Sequence, residues 1–419
     1  MNSQRSIFLK IDWILVIIYL LLAGLGVMSI YSVEAGRHGF SFSFSQGYVK
    51  QIIWVAMGFI LGLGAILVDT RFYQAIAYPF YAFILALILG AGLWGVAVGG
   101  TQGWIDLGFF RLQPSEFGKL ATALALAKFL TTYGIRLDKT KDQIIAFALM
   151  IIPIGTVMVQ SDVGTSLVYC SFILVLFRQG MHPFFLYFPL WMGVLFVLTL
   201  LFDEMLVAFA LLAVAVLAIA FTKMQQNKIL SIAGMLVLSV AFVFAVDYTF
   251  ENVLQEHHKQ RVNVLLGKEL DMRGAGYNVH QSLIAIGSGG ITGQGFLNGT
   301  QTQYNFIPEQ NTDFIFCAIA EEWGFVGSVI LLTLYLMLLL RIITLSEYYK
   351  SRFTRIYGYG LASVLLIHFS INIAMTMGLF PVVGIPLPFV SYGGSSFLAF
   401  SLMLFIFLTK EAQAKEIQY

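Results

Sequence analysis

Apolar residues fill this chain in long blocks separated by short polar joints. A helix needs about 20 apolar residues to cross the hydrocarbon core of a bilayer, and by that measure about twelve spans are expected. They fall at 13–31, 50–68, 74–97, 114–132, 144–160, 163–178, 184–201, 205–222, 228–247, 313–340, 355–377 and 390–408. The segment 163–178 is short for a span, and 184–201 and 205–222 form a tight pair. Trp13 to Ile30 is too long for a signal-peptide core and reads as a retained first span. The pattern predicts an all-α polytopic membrane protein, one integral domain over 1–419.

One polar interruption stands apart. Residues 248–312 make a loop of about 65 residues, beyond ordinary connections and so a candidate functional loop or lid. Its second half gathers glycines, amides, His280, Gln281 and the carboxylate Glu309, with Asp313 directly after it, just before the apolar run resumes at Phe314.

Composition supports lipid as the solvent. The chain is 59% hydrophobic and 11% charged, against about 25% charged in soluble domains. A net charge of +2 leaves no nucleic-acid footprint. Cys170 and Cys317 lie in apolar runs and make no metal spacing. With the N-terminus in the cytoplasm, that side holds Arg5, Lys10, Arg71, Arg136, Lys139, Lys141, Arg178, Lys223, Lys228, Arg341, Lys350, Arg352, Arg355, Lys410 and Lys415, most of the 24 basic residues. The short outer loops hold Arg37, Lys50 and Arg111. The positive-inside rule then puts loop 248–312 outside and the C-terminus inside.

Three polar clusters share that outer face. In the first, Asp313 opens a span, with Asn311 or Thr312 able to cap it and the helix dipole near it. Glu309 lies one turn back. Glu321 and Glu322 lie roughly 12 Å deeper by helix rise, where carboxylates are costly and point to function. The second cluster runs from Gly103 to Lys119. Trp104 is an interfacial anchor or a stacking surface, Pro114 suits a first helical turn with Gln113 or Ser115 near the cap, and Glu116 and Lys119 are spaced to pair. In the third, Gln160-Ser161-Asp162, Asp162 is placed to take a salt bridge from Lys119. The stretch from Gly378 to Ser396, with Ser391, has three prolines and no charge. It reads as a re-entrant loop. His368 and Asn372 are spaced for hydrogen bonding between helices. The glycines from Gly287 to Gly295 lack the Lys-Ser/Thr of a phosphate loop. They let the backbone fold tightly against the membrane surface or a ligand.

The phrases WIDLG…RLQPSEFGK, QSDVGTS, GAGYNVHQSLIAIGSGG, GTQTQYNFIPEQNTDFIF and GLFPVVGIPLPFVSYGGSS, in this order, resemble the SEDS family (shape, elongation, division, sporulation). Thr300-Gln301 and Phe306 are closer to its elongation member than to its division member. The resemblance implies a core of ten spans, so 184–222 reads as an added pair. It implies peptidoglycan glycosyltransfer: polymerisation of lipid II outside the cytoplasmic membrane, beside a class B penicillin-binding protein transpeptidase and other elongation-complex membrane proteins. Asp313 then matches the essential acidic residue and becomes the general base on the acceptor sugar hydroxyl, with Glu309 close by. Arg111, Lys119, Arg261, Trp104, Gln113 and Ser115 match positions facing substrate and pyrophosphate. Glu116, Asp162, Glu321, His280, Gln281 and Ser391 fill out the pocket. No cofactor is required by the sequence. A divalent cation on Glu309 or Asp313 is the one the pattern admits, and no ligand spacing demands it. Ser161 stands where Pro is commoner, and Gln294 where Lys is. The alternatives are a lipid II flippase, for which Glu321 and Asp162 would line a polar path, and a non-catalytic cell-wall scaffold.

Overall fold

The structure, a computed structural model, describes residues 11–38, 43–98, 100–108, 110–221, 226–252, 275–304 and 306–414. Arg261 lies outside the described residues. Two compact units emerge, Met1–Met181 with Asn278–Tyr419, and His182–Tyr277.

In the first unit the helices are α1 (Trp13–His38), α2 (Gly47–Leu67), α3 (Thr70–Trp94), α4 (Pro114–Thr131), α5 (Thr140–Val159), α6 (Val163–Tyr169) and α7 (Phe172–Arg178). The second unit holds α8 (Phe184–Leu201), α9 (Glu204–Phe221) and α10 (Gln226–Asn252). Chain order continues with α11 (Ala275–Ser288), α12 (Thr300–Gln303), α13 (Ile315–Tyr348), α14 (Arg352–Thr376) and α15 (Gly394–Ala414). Among the described residues, nine helices are long and apolar enough to cross a membrane, and 163–178 and 394–409 are shorter apolar stretches. This is the multi-pass helical architecture that the hydropathy pattern predicts. Helices α8, α9 and α10 pack around Leu195, Val207, Leu211 and Val243, and Trp191 Nε1 donates to Ser239 Oγ at 3.0 Å.

Helix α4 is the exception that explains the core. It carries Glu116, Lys119 and Lys128, too much charge for an apolar span, yet almost every residue on it is buried. Gly118, Ala121, Ala123, Ala125 and Ala127 keep its surface small, so neighbouring helices close around it as small residues allow. Helices α3, α5, α14 and α15 all contact it.

The all-α expectation needs one amendment. Between α3 and α4 the chain forms a three-stranded antiparallel ribbon, β1 (Val96–Val98), β2 (Thr101–Asp106) and β3 (Arg111–Leu112), in sequence order. Asp106 faces Arg111 across β2 and β3. Strands this short leave no period that hydropathy can detect.

Helix α13 starts at Ile315, later than the expected 313, and breaks at Gly324, where φ is 63° and ψ −155°. Only glycine visits such a conformation readily. The break strands backbone groups, and residues 289–295 satisfy them. Gln294 N donates to Glu321 O at 3.0 Å and Gly295 N to Glu322 O at 3.0 Å, while Phe325 N donates to Gly290 O at 2.9 Å and Val326 N to Ile291 O at 3.1 Å. An unpaired backbone group in hydrocarbon costs several kcal/mol. A Cβ at Gly293 would overlap the Glu322 carbonyl, and one at Gly289 the Ala320 carbonyl. The glycine-rich stretch is therefore a close-packed splint for a broken helix, with Gly289 and Gly293 folded tightly against protein backbone.

Gly293→Ala, at φ +82° against that carbonyl, is expected to destabilise the protein by about 2 kcal/mol or more. Gly287→Ala, in open space, should leave the unfolding temperature in detergent unchanged. Equal unfolding temperatures for the two variants would remove the splint.

Candidate functional site

The proline-rich stretch between α14 and α15 forms no regular structure over Met377–Gly393. Its prolines cannot donate and its φ angles are fixed, so neighbours must supply its partners. His368 Nδ1 lies 3.2 Å from Pro386 O, and Asn372 Nδ2 donates to Ile385 O at 2.7 Å. Tyr335 OH donates to Pro388 O. From α2, Gln51 gives Nε2 to Ser391 O at 3.3 Å and takes Gly393 N at its Oε1 at 3.3 Å. Ser391 Oγ accepts Leu387 N at 2.8 Å, closing the turn from inside. The loop's buried part, Ile385 with residues 387–391, thus rests on protein, as irregular backbone at membrane depth must.

This loop holds the segment that carries Asp313. Three successive carbonyls are occupied: Asn311 O by Tyr392 N at 2.9 Å, Thr312 O by Ser391 Oγ at 2.6 Å, and Asp313 O by Asn372 Nδ2 at 2.9 Å. The expected cap by Asn311 or Thr312 is not made, because Phe314 is the N-cap residue and the helix has no side-chain cap. Thr312 Oγ1 bonds Glu309 Oε2 at 3.1 Å, and Asn311 Nδ2 reaches Glu34 Oε1 at 3.4 Å. Asp313 therefore precedes the first turn, and the dipole effect, which fades within one turn, acts on it less than its sequence position implies. Its partly exposed side chain faces Gly384, where a Cβ would stand 3.4 Å from Oδ2.

The second and third clusters join this segment through α15. Gln113 N donates to Ser395 Oγ at 3.0 Å, and Ser395 Oγ donates to Arg111 O at 3.2 Å. Gln113 Nε2 donates to Asp162 Oδ2 at 3.0 Å, while Asp162 Oδ1 caps α6 through Thr165 N at 2.9 Å. A Cβ on Gly164 would overlap Val383 O, so α6 lies directly against the proline-rich loop. Arg111 keeps a half-exposed guanidinium beside Asp106, Nε to Oδ2 3.6 Å. Trp104 Nε1 donates to Thr101 Oγ1 at 3.3 Å, leaving the ring partly exposed. Ser115 is buried with its hydroxyl unpartnered among the described residues, and its carbonyl accepts Tyr169 OH at 2.9 Å.

Lys119 requires correction. It is fully buried, with Nζ 2.8 Å from Glu116 Oε2, 2.8 Å from His368 Nε2 and 4.9 Å from the Phe400 ring centre. The salt bridge runs to Glu116, one turn away; Asp162 already accepts from Gln113 and Thr165. Direct contact with a pyrophosphate, expected from the sequence, needs an exposed ammonium that this burial denies. The tautomer follows. Pro386 O can only accept, so His368 carries its proton on Nδ1 and offers Nε2 to the ammonium.

Glu321, expected to line the pocket, is buried and engaged. It accepts from Thr300 Oγ1 at 3.3 Å, Gln301 N at 2.8 Å, Thr302 N at 2.8 Å and Thr302 Oγ1 at 2.5 Å. It anchors residues 300–302 to α13. Glu322 accepts from Ser32 Oγ and from Leu297 N at 3.3 Å. On α11, His280 is exposed and Gln281 half-buried, and neither hydrogen-bonds to Asp313 among the described residues. Glu309 is exposed. Among the described residues, no three His, Cys, Asp or Glu side chains gather to hold a metal ion. Sequence reasoning missed Gln51 and Ser395. Gln51 alone had a signal, as an amide within an apolar span.

Fold and site define a multi-pass helical membrane protein whose acidic segment is clamped by an internal proline-rich loop. The FtsW/RodA/SpoVE family model, described as a cell cycle protein, matches residues 12–205 and 183–416, and the chain belongs to that family. It is 33% identical over 409 residues to the peptidoglycan glycosyltransferase RodA of Treponema pallidum, covering 92% of this chain and 94% of that one. It is 35% identical over 350 residues to the peptidoglycan glycosyltransferase MrdB of Escherichia coli K12, covering 83% and 81%. A solved chain from a peptidoglycan synthase complex that coordinates polymerization and crosslinking matches with a TM-score of 0.70 at 25% identity, over 96% of this chain and 98% of that one.

Lys119→Met would strand Glu116 as a buried lone charge and is expected to cost about 3–5 kcal/mol. Adding Glu116→Gln should recover part of that loss. Denaturation of the wild type, both single variants and the double closes the cycle, and strictly additive losses would remove the pair.

Proposed function

We propose that this protein polymerises lipid II into glycan strands on the outer face of the cytoplasmic membrane, with Asp313 as the general base and both termini in the cytoplasm. One observation carries the assignment: three consecutive carbonyls from Asn311 to Asp313 are fixed by the proline-rich loop and α14 while the Asp313 carboxylate stays partly exposed. A backbone held this firmly beneath a partly exposed carboxylate suits a group whose position must be set for proton transfer.

In the reaction, the acceptor sugar's 4-hydroxyl oxygen bonds to the donor's anomeric carbon as the bond from that carbon to the lipid pyrophosphate breaks. Asp313 takes the hydroxyl proton, because a sugar hydroxyl is a weak nucleophile without a base in reach. The electron pair leaves with the pyrophosphate. Arg111, with its half-exposed guanidinium, is the described cation best suited to stabilise that gain of charge. Lys119 acts from inside the protein, through Glu116 and His368. Glu309 and Asp313 could contribute at most two carboxylates to a divalent ion. That donor set fits a cation shared with substrate phosphates better than a cage made by protein alone. The transpeptidase partner is a class B penicillin-binding protein, a reading supported by the similarity to a chain of a peptidoglycan synthase complex.

Asp313→Asn is expected to lower polymer formation from lipid II, by purified protein with its partner, on the order of 10²–10⁴-fold. Expression and partner binding should not change. Polymer at the wild-type rate would overturn the assignment, and polymer formation by the wild type excludes a flippase or scaffold acting alone.

A further inference from the structure

We infer that Asn372 is a positioning residue for this reaction: its side-chain amide sets where Asp313 stands relative to the proline-rich loop. The inference rests on the reading of Asp313 as base and concerns a residue that does not touch substrate.

Asn372 sits in the last two turns of α14 and is fully buried. Its amide nitrogen has two hydrogens, and both are used. One goes to Ile385 O at 2.7 Å, the other to Asp313 O at 2.9 Å. A single planar group therefore fixes the spacing between the loop and the acidic segment. The amide orientation is set by chemistry, since two carbonyls can only accept and Oδ1 could serve neither. Oδ1 is buried and has no partner among the described residues. A buried acceptor left unpaired calls for an explanation. Here it accompanies two bonds that no hydroxyl or methyl group could supply together.

The other bonds around Asp313 have a different origin. Asn311 O and Thr312 O are held by Tyr392 and Ser391, which belong to the loop itself. Asn372 instead stands on a rigid, buried helix. One turn earlier on the same face, His368 meets Pro386 O and the Lys119 ammonium. Helix α14 thus grips Ile385 and Pro386 while also holding Asp313, and it connects that grip to the buried Lys119–Glu116 pair. A displacement of about 1 Å in a reacting group can cost roughly 10²-fold in rate, so losing this bridge should reduce turnover more than substrate binding.

The test uses the purified full-length protein with its transpeptidase partner and lipid II. Asn372→Ala is compared with Asp313→Asn and with Met375→Ala, a buried packing variant on the same helix. The expected result is a fall in kcat of about 10-fold or more for Asn372→Ala, with KM for lipid II within about threefold. Met375→Ala should keep kcat within about threefold at a comparable loss of unfolding temperature. Where Asn372→Ala yields no folded protein, Asn372→Ser, which retains one donor, replaces it under the same criteria. An Asn372 variant with wild-type kcat beside an inactive Asp313→Asn would overturn the positioning role and leave the base assignment standing. So would kcat losses in Asn372→Ala and Met375→Ala that both follow their unfolding temperatures. An active Asp313→Asn would instead remove the base assignment.

Discussion

Every polar backbone group within the hydrocarbon must find its partner inside the protein, because lipid offers none. Regular helices meet that demand alone. The two irregular pieces of the core cannot, and the rest of the site depends on how they are served. The break at Gly324 is served by residues 289–295, and the proline-rich loop by His368, Asn372, Tyr335 and Gln51. Both irregular pieces lead to Asp313. The splinted half of α13 continues from its segment, and the loop grips its carbonyls. The acidic segment owes its fixed shape to the requirement that makes irregular backbone rare in membranes.

The buried charges obey a related economy. Lys119 joins Glu116 and His368 in one buried group, its ammonium between Glu116 Oε2 and His368 Nε2. A charge in such a place is tolerable only when paired and hydrogen-bonded. The group adds nothing to substrate contact, but it ties α4 to α14 and, through Pro386, to the loop. Glu321 plays a comparable part on the other side, holding residues 300–302 by four hydrogen bonds. Residues that look catalytic by type thus divide in two. Arg111 and Asp313 keep exposure, while Lys119 and Glu321 have exchanged it for structural bonds.

Much of the fold was legible because the bilayer fixes one length scale. Each expected span meets a helix, even the charged α4, and hydrogen bonds tie Asp162 to Gln113, Gln113 to Ser395, and Ser391 to Thr312 beside Asp313. What stayed hidden was pairing. Lys119 had two carboxylates in prospect, and the choice between Glu116 and Asp162 was decided by Gln113 and Thr165, whose donors no pattern announces. Asn372 could be recognised as polar within a span, but not that it reaches Asp313 across 59 positions. Gln51 meets Ser391 across 340. The glycines of 287–295 suggested tight folding, but their partner, a break in a helix that follows them, carries no mark except Gly324.

The order in which the chain is made gives the break and the loop different fates. Residues 289–295 precede α13, so when that helix leaves the ribosome its splint has already been synthesised. The clamp on Asp313 comes last: Asn372, Ile385, Ser391 and Tyr392 all follow it in the chain. A nascent or C-terminally truncated chain can carry Asp313 and the splinted helix while lacking every described bond that fixes carbonyls 311 to 313. Chain termination before the proline-rich loop therefore leaves the acidic residue in place but unaligned, and competence arrives only with the final tenth or so of translation.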